Sequence, residues 1–95
     1  MRITKKMLRL LAEAQKEEGF SEMQNLINSG EVWKFEGSMG RAAMEALRSG
    51  ACYLPDNPTF DYYGNRIPAR GELKPYTMGT LENSIVFYSF DNQVK

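Results

Sequence analysis

The sequence predicts an α+β fold in which three helices pack on a small three-stranded sheet that can be mixed. The 95 residues are 42% hydrophobic and 25% charged, the composition of an ordinary globular chain with room for one domain. Three segments repeat their apolar residues at helical spacing, and three others alternate or run apolar in the manner of strands. We therefore expect a single domain over 1–95, in the order helix, helix, strand, helix, strand, long loop, strand.

The first helix is predicted from Thr4, whose hydroxyl can cap its start, to about Glu18, with Gly19 as a left-handed end. Its apolar side chains fall on one stripe, opposite a face of charged residues. The stripe consists of Ile3, Met7, Leu10, Leu11 and Ala14. This pattern indicates a helix that docks one face on a core.

The second helix is predicted to be short. Ser21 and Gln24 stand three positions apart, which is the spacing of a capping box, and Gly30 ends the helix. The apolar side chains expected to face the core are Met23, Leu26 and Ile27. The two helices together make residues 1–30 a helical N-terminal part.

Residues 31–54 are predicted to form a strand–helix–strand unit. Its first strand, 31–36, alternates in character and places Trp33 and Phe35 on one face. Its second strand, 51–54, is a short apolar run that stops at a proline. The helix between them is just long enough for a right-handed crossover, so the two strands can lie parallel.

The helix of this unit is predicted from Ser38, as its cap, to Ser49, and Gly50 closes it. Small residues cluster along one side of this helix, so we expect it to lie flat on the sheet. The final strand, 84–90, has the strongest strand signal, because β-branched and aromatic residues follow one another. Because both faces of this strand are apolar, we expect it to lie in the centre of the sheet or to have its second face covered by the N-terminal helices.

Residues 55–83 form a long segment that contains all four prolines of the chain. Loops of this length in small domains are usually functional or disordered, and the apolar side chains of this one are too many to remain solvated. Residues 63–66 are expected to turn a small hairpin between 60–62 and 66–67.

The chain has 12 basic and 12 acidic residues and no histidine. No net charge attracts nucleic acid or an acidic membrane, and the commonest general base and metal ligand are missing. The lone Cys52 cannot form an intramolecular disulfide, and no apolar stretch approaches the roughly 20 residues that span a bilayer. We therefore expect a cytoplasmic protein without catalytic residues, metal, cofactor or membrane partner, in which Cys52 is a buried structural thiol.

Two constellations are candidates for a binding site. The first is the glycine-spaced helix entry at 37–41, where backbone N–H groups beside an arginine can hold a phosphate or a carboxylate. Its candidate anion-binding residues are Ser38, Gly40 and Arg41. The alternative is capping alone, because glycine and serine are favoured at any junction between a strand and a helix.

The second constellation is the interleaving of aromatic and basic side chains in 55–83. The candidate partner-binding residues are Tyr62, Tyr63, Arg66, Arg70, Lys74 and Tyr76. Tyrosine and arginine are enriched in interface hot spots, and the acidic residues of the segment favour a protein partner over a phosphate backbone. The alternative is that the apolar residues pack the segment on its own domain.

These patterns predict a small non-enzymatic interaction or regulatory module that binds a protein partner, or a second copy of itself, through 55–83. The alternative is a winged-helix-like nucleic-acid-binding regulator with a recognition helix at 38–49 and an enlarged wing at 55–83. The strand predicted at 31–36 argues against this alternative, since such folds have only a short turn there. The missing histidine argues against a third, hydrolytic function.

Overall fold

The computed structural model describes the backbone of residues 2–35 and 37–94, and the side chains of 2–35 and 37–89. Within these residues the chain is a small α+β domain with four α helices and a two-stranded antiparallel sheet. The elements are α1 (Lys5–Glu18), α2 (Ser21–Ser29), α3 (Ser38–Ser49), β1 (Thr59–Phe60), β2 (Arg66–Ile67) and α4 (Leu81–Val94), with 3₁₀ turns at Glu31–Lys34 and Arg70–Glu72. The α+β class is confirmed, whereas the layout of three helices on three strands is wrong.

The predicted first helix is confirmed at both ends. The Met7 N–H donates to the Thr4 hydroxyl at 3.2 Å, and Gly19 adopts the left-handed conformation with a φ of 83°. Leu11 is buried on the predicted stripe, but Leu10 is exposed and Gln15 is buried instead. The buried face is therefore turned toward Gln15, because α1 packs against both α2 and α4.

The caps of α2 and α3 differ from the prediction, although the bounds of α3 are confirmed. Phe20 and Gly37 occupy the two cap positions, and neither helix has a side-chain cap. Ser21 and Ser38 therefore lie one residue inside their helices. The predicted capping box fails because the Gln24 side chain bonds the backbone of a distant segment instead.

The predicted strand at 31–36 is wrong, because residues Glu31–Lys34 form a 3₁₀ turn; the last residue of the predicted strand, Glu36, lies outside the described residues. Val32 and Trp33 are both buried although they are neighbours in sequence. A strand sends neighbouring side chains to opposite faces, whereas a tight turn directly after the end of α2 can bury both on one side. Phe35, which the alternation placed with Trp33, is instead exposed.

The predicted strand at 84–90 is also wrong, because these residues lie within α4. The Asn83 N–H donates to the Thr80 hydroxyl at 3.2 Å, which favours a helix start there. Leu81, Ile85 and Tyr88 follow at spacings of four and three residues and pack together beside α1. Tertiary packing of this face overrides the strand propensity of the local composition.

Segment 51–54 is buried, but it has no neighbouring strand among the described residues. The Gln24 side chain takes the place of one: its Nε2 donates to the Tyr53 carbonyl at 2.8 Å, and its Oε1 accepts from the Tyr53 N–H at 3.0 Å. The Gln15 Nε2 donates to the Ala51 carbonyl at 3.1 Å and to Gln24 Oε1 at 2.8 Å. Two glutamine side chains thus satisfy backbone groups that a sheet would otherwise pair.

The other side of this segment is bonded from the second half of the chain. The Tyr88 hydroxyl donates to the Ala51 carbonyl at 2.6 Å, and the Leu54 N–H donates to the Gly79 carbonyl at 2.9 Å. The side chains of the segment pack in two hydrophobic clusters. The first contains Ile27, Val32, Trp33, Ala43, Ala46, Leu47, Ala51, Cys52 and Leu54, and the second contains Leu11, Leu81 and Tyr88.

The hairpin predicted within 55–83 is confirmed. Thr59 pairs with Ile67 and Phe60 with Arg66, so β1 and β2 form a short antiparallel ladder whose turn is 61–65 rather than the predicted 63–66. Ile67 packs against the first hydrophobic cluster, which holds the hairpin on the domain. No helix in the described part of the chain is long and apolar enough to cross a membrane.

Candidate interaction groove

An open groove of about 830 Å³ lies between the hairpin turn, the 3₁₀ turn at Glu31–Lys34 and one side of α3 from Gly40 to Arg48. Its lining residues are Trp33, Phe35, Gly37, Gly40, Arg41, Met44, Glu45, Arg48, Asp61, Tyr62 and Tyr63. The groove brings together residues of both candidate constellations. Tyr62 and Tyr63 come from the long segment, and Gly40 and Arg41 come from the helix entry.

The backbone around the two tyrosines is fixed by short contacts. The Tyr62 N–H donates to the Trp33 carbonyl at 2.9 Å, which fastens the hairpin turn to the 3₁₀ turn. The Asp61 carboxylate accepts from the Tyr63 N–H at 2.9 Å and from the Asn65 N–H at 2.8 Å. Desolvation opposes ionisation of Asp61, but the bonds from Asn65, Tyr63 and Gly64 outweigh it and lower the pKa of this carboxyl. The turn is therefore held in one conformation around an ionised aspartate.

Aromatic side chains along the groove stand in solvent. Tyr63 is 76% exposed, Tyr62 is 61% exposed and Phe35 is 54% exposed. The two tyrosine rings pack edge to face with their centroids 5.2 Å apart. Met44 is also exposed on the α3 side. Exposed aromatic rings on a fixed backbone are typical of a surface that another molecule covers.

The charged side chains of the groove differ in whether they have a partner. Arg48 forms an ion pair with Glu45 on α3, and the carboxylate of Asp61 is occupied by the hairpin turn. Arg41 is exposed and forms neither an ion pair nor a side-chain hydrogen bond with any described residue. Among the described lining residues, Arg41 is therefore the charge that remains available to a ligand.

Two further polar features border the groove. Helix α3 begins with no side-chain cap and no acidic residue in its first turn, so its N-terminal N–H groups and positive dipole end are uncompensated. Trp33 is only 8% exposed, and its buried Nε1 has no hydrogen-bond partner among the described residues. Ser38, the remaining candidate of the helix entry, is exposed on α3 but does not line the groove.

Two of the predicted partner-binding arginines are used within the domain. Arg66 forms a two-pronged pair with Glu72 at 2.8 and 2.9 Å, and these bonds lower the pKa of the Glu72 carboxyl. The Arg70 side chain is only 19% exposed and pairs with Asp56 at 2.6 Å. It also donates to the Leu54 carbonyl at 3.1 Å. Neither arginine lines the groove.

Lys74 and Tyr76 lie in a separate turn that also stands outside the groove. The Thr77 N–H donates to the Lys74 carbonyl at 3.3 Å, and Tyr76 occupies the third position of this turn with a φ of 68°. Glycine is preferred at such a position, since a bulky residue there is strained by about 1–2 kcal/mol. A role for these residues in binding stays a prediction.

Three lining residues with large apolar side chains were not among the candidates from the sequence: Trp33, Phe35 and Met44. Trp33 and Phe35 were predicted to lie on the same face of a strand. The 3₁₀ turn instead buries the Trp33 ring and leaves the Phe35 ring exposed. Met44 stands four residues after Gly40 on α3, one helical turn along the same side. That spacing was the available signal for Met44, but the spacing alone does not show that the hairpin lies opposite this side of α3.

Cys52 is fully buried, and desolvation raises its pKa to about 12. No group of three acidic, cysteine or histidine residues that suits a metal ion is found in the described part of the chain. Since the thiolate is the reactive form, a thiol with this pKa stays protonated at neutral pH.

We expect Cys52 in the folded protein to react with iodoacetamide at about pH 8 more than about a hundredfold slower than a free thiol. The same chain unfolded in urea should react at the ordinary rate. Mass spectrometry of aliquots quenched over time measures both rates. Rapid labelling of the folded protein would show that this region opens or that the thiol is activated.

Comparisons with known protein families, with curated proteins and with solved structures find no match to this chain.

Proposed function

We propose that this chain is a non-enzymatic interaction module that binds a protein partner through the groove. The observation that carries the proposal is the joint exposure of Tyr62, Tyr63 and Phe35 along one groove. Tyrosine and other aromatic residues provide most of the binding energy in many interfaces, because each buries a large area with few rotatable bonds.

The fixed backbone of the hairpin turn supports the same proposal. Hydrogen bonds from Tyr62 to Trp33 and from Tyr63 to Asp61 hold the two tyrosines in place before any partner arrives. A surface ordered in advance loses little conformational entropy on binding, which increases affinity. The absence of histidine from the sequence and the protonated Cys52 thiol favour binding over catalysis.

The 3₁₀ turn at Glu31–Lys34 removes the objection that a strand separates α2 from α3, but other parts of the described fold argue against the winged-helix alternative. Its recognition helix would be α3, but the two strands expected to form its hairpin do not exist in that form. Segment 51–54 is bonded by glutamine side chains, and 84–90 lies within α4. The basic side chains of its enlarged wing include Arg66 and Arg70, which form ion pairs within the domain.

The proposal is tested with peptides selected from a random peptide display library on the immobilised protein. The double variant Tyr62→Ala/Tyr63→Ala is expected to weaken binding of a selected peptide at least tenfold, the effect of about 1.4 kcal/mol. Because both rings are exposed, the free energy of unfolding should change by less than about 0.5 kcal/mol. Fluorescence anisotropy measures the binding, and urea unfolding measures the stability.

Phe60→Ala is the matched control. It removes a ring that is about as exposed as that of Tyr62 but lies outside the groove. This control should leave binding unchanged. Equal binding by the folded Tyr62→Ala/Tyr63→Ala variant, or the failure of any peptide to be enriched, would contradict the proposal.

Self-association is measured first, by light scattering on the purified chain. A dimer that dissociates in the Tyr62→Ala/Tyr63→Ala variant would identify a second copy of the chain as the partner. A monomer directs the search to other proteins.

A further inference from the structure

We infer that the partner presents to the groove a segment with a bulky apolar side chain next to a carboxylate. This inference rests on the proposed function and specifies the chemistry of the partner. The apolar side chain would lie against Tyr62, Tyr63 and Phe35, and the carboxylate would bind Arg41.

Charge complementarity carries the inference. Four charged side chains line the groove, and three of them are already engaged: Arg48 with Glu45, and Asp61 with the hairpin turn. Arg41 has no partner among the described residues, so the available charge that these residues give the groove is positive. A carboxylate that binds an arginine gains charge-assisted hydrogen bonds, whereas a cation placed there is repelled.

The polar features at the border of the groove agree with an acidic ligand. Gly37 and Gly40, at the start of α3, line the same groove as Arg41. The uncapped helix start adds its positive dipole end to the guanidinium charge. Trp33 also lines the groove, and its buried Nε1 has no acceptor among the described residues.

A nucleic-acid strand fits this groove less well. A phosphate backbone is bound by several basic side chains along its path, and its affinity follows the number of phosphates neutralised. Among the described residues, the groove has one available cation, and two carboxylates line its walls, at Glu45 and Asp61. A single carboxylate beside an apolar anchor matches one cation beside a set of aromatic rings.

The test compares the peptides that a random display library yields on the natural chain and on the variant Arg41→Glu. On the natural chain, we expect enriched peptides to carry aspartate or glutamate next to an aromatic residue or leucine. On Arg41→Glu, the enriched charge should change from acidic to basic, because the variant reverses the available charge. Sequencing of the selected pools measures both preferences.

Single peptides then give the size of the effect. Arg41→Gln is expected to weaken an acidic selected peptide about tenfold, the amount expected for one charge-assisted hydrogen bond. Arg9→Gln, which removes an exposed charge on α1 outside the groove, is the matched control and should leave affinity unchanged. Raising NaCl from about 50 to about 500 mM should weaken binding of the acidic peptide to the natural chain but not to the Arg41→Gln variant.

The outcomes separate the inference from the proposed function. Enriched peptides that depend on Tyr62 and Tyr63 but are basic, proline-rich or uncharged would overturn the acidic ligand and leave the interaction module in place. A single-stranded oligonucleotide that displaces the peptide at moderate salt would overturn the inference in favour of nucleic acid. Enrichment that ignores both tyrosines, or no enrichment, would remove the proposed function as well.

Discussion

Replacing Gly50 with alanine is expected to lower the free energy of unfolding by about 3–5 kcal/mol. Gly50 ends α3 in the left-handed region, with a φ of 100°, where alanine is strained by about 1–2 kcal/mol. A Cβ at this position would also stand 2.8 Å from the Asn83 carbonyl oxygen and 2.8 Å from the Phe87 Cβ. Both atoms are held by α4, so the helix itself must move.

Gly19→Ala is the matched control for this prediction. Gly19 ends α1 with a φ of 83°, but a Cβ there would have no atom within 4 Å. It therefore carries the left-handed strain without the steric contact, and we expect a loss of about 1–2 kcal/mol. Urea unfolding followed by far-UV circular dichroism measures both variants. Equal losses would show that α4 does not approach α3 as closely as the structure has it.

The second large effect is expected for Gln24→Leu, which should lower the free energy of unfolding by about 3–5 kcal/mol. Leucine keeps the approximate volume of the side chain but removes the acceptor of the Tyr53 N–H and the donor to the Tyr53 carbonyl. The Gln15 Nε2 also loses the acceptor that it reaches at 2.8 Å. Each buried polar group left without a partner costs about 1–3 kcal/mol.

Asn25→Leu, one residue further along α2, controls for the helix and for the gain of an apolar side chain. Asn25 is exposed, so its replacement should change stability by less than about 0.5 kcal/mol. Thermal or urea unfolding compares the two variants. A domain of 95 residues has a free energy of unfolding of about 5–14 kcal/mol. The Gln24→Leu variant should therefore still fold unless the natural chain lies at the lower end of this range. A loss below about 1 kcal/mol would mean that water replaces the glutamine at the Tyr53 backbone.

The parts of the fold that follow from local rules were predicted from the sequence. Thr4 and Gly19 bound α1, Gly50 ends α3, and the residues around Gly64 turn the hairpin. Each of these depends on the conformation of one residue or on a bond to a near neighbour. Such features are visible in a sequence because no distant contact is needed to form them.

The predicted strands failed where distant contacts decide the structure. Ile85 and Val86 favour a strand by composition, but Leu81, Ile85 and Tyr88 share a helical face that α1 covers. The spacing of that face was present in the sequence, and the β-branched residues obscured it. The glutamine contacts to Tyr53 could not be predicted, since nothing in the local sequence says that a glutamine side chain will replace a strand.

The candidate site was predicted in part. Tyr62 and Tyr63 were found because tyrosines interleaved with basic residues are typical of interface hot spots. Arg70 was placed in the same group, but its guanidinium lies over the Tyr53 ring, 5.6 Å from the centroid, a contact that joins residues far apart in the sequence. The groove itself depends on where the hairpin meets α3, which no local pattern contains.

Segment 51–54 retains the composition of a strand inside a fold that gives it no strand to pair with. Its backbone is satisfied by Gln15 and Gln24 from one end of the chain and by Tyr88 from the other, so these bonds close only when both ends have docked. Until then its N–H and C=O groups form an open edge of apolar residues. We therefore expect that a chain in which either end is undocked exposes this edge to pairing with other copies, and that the two glutamines block such pairing in the folded state.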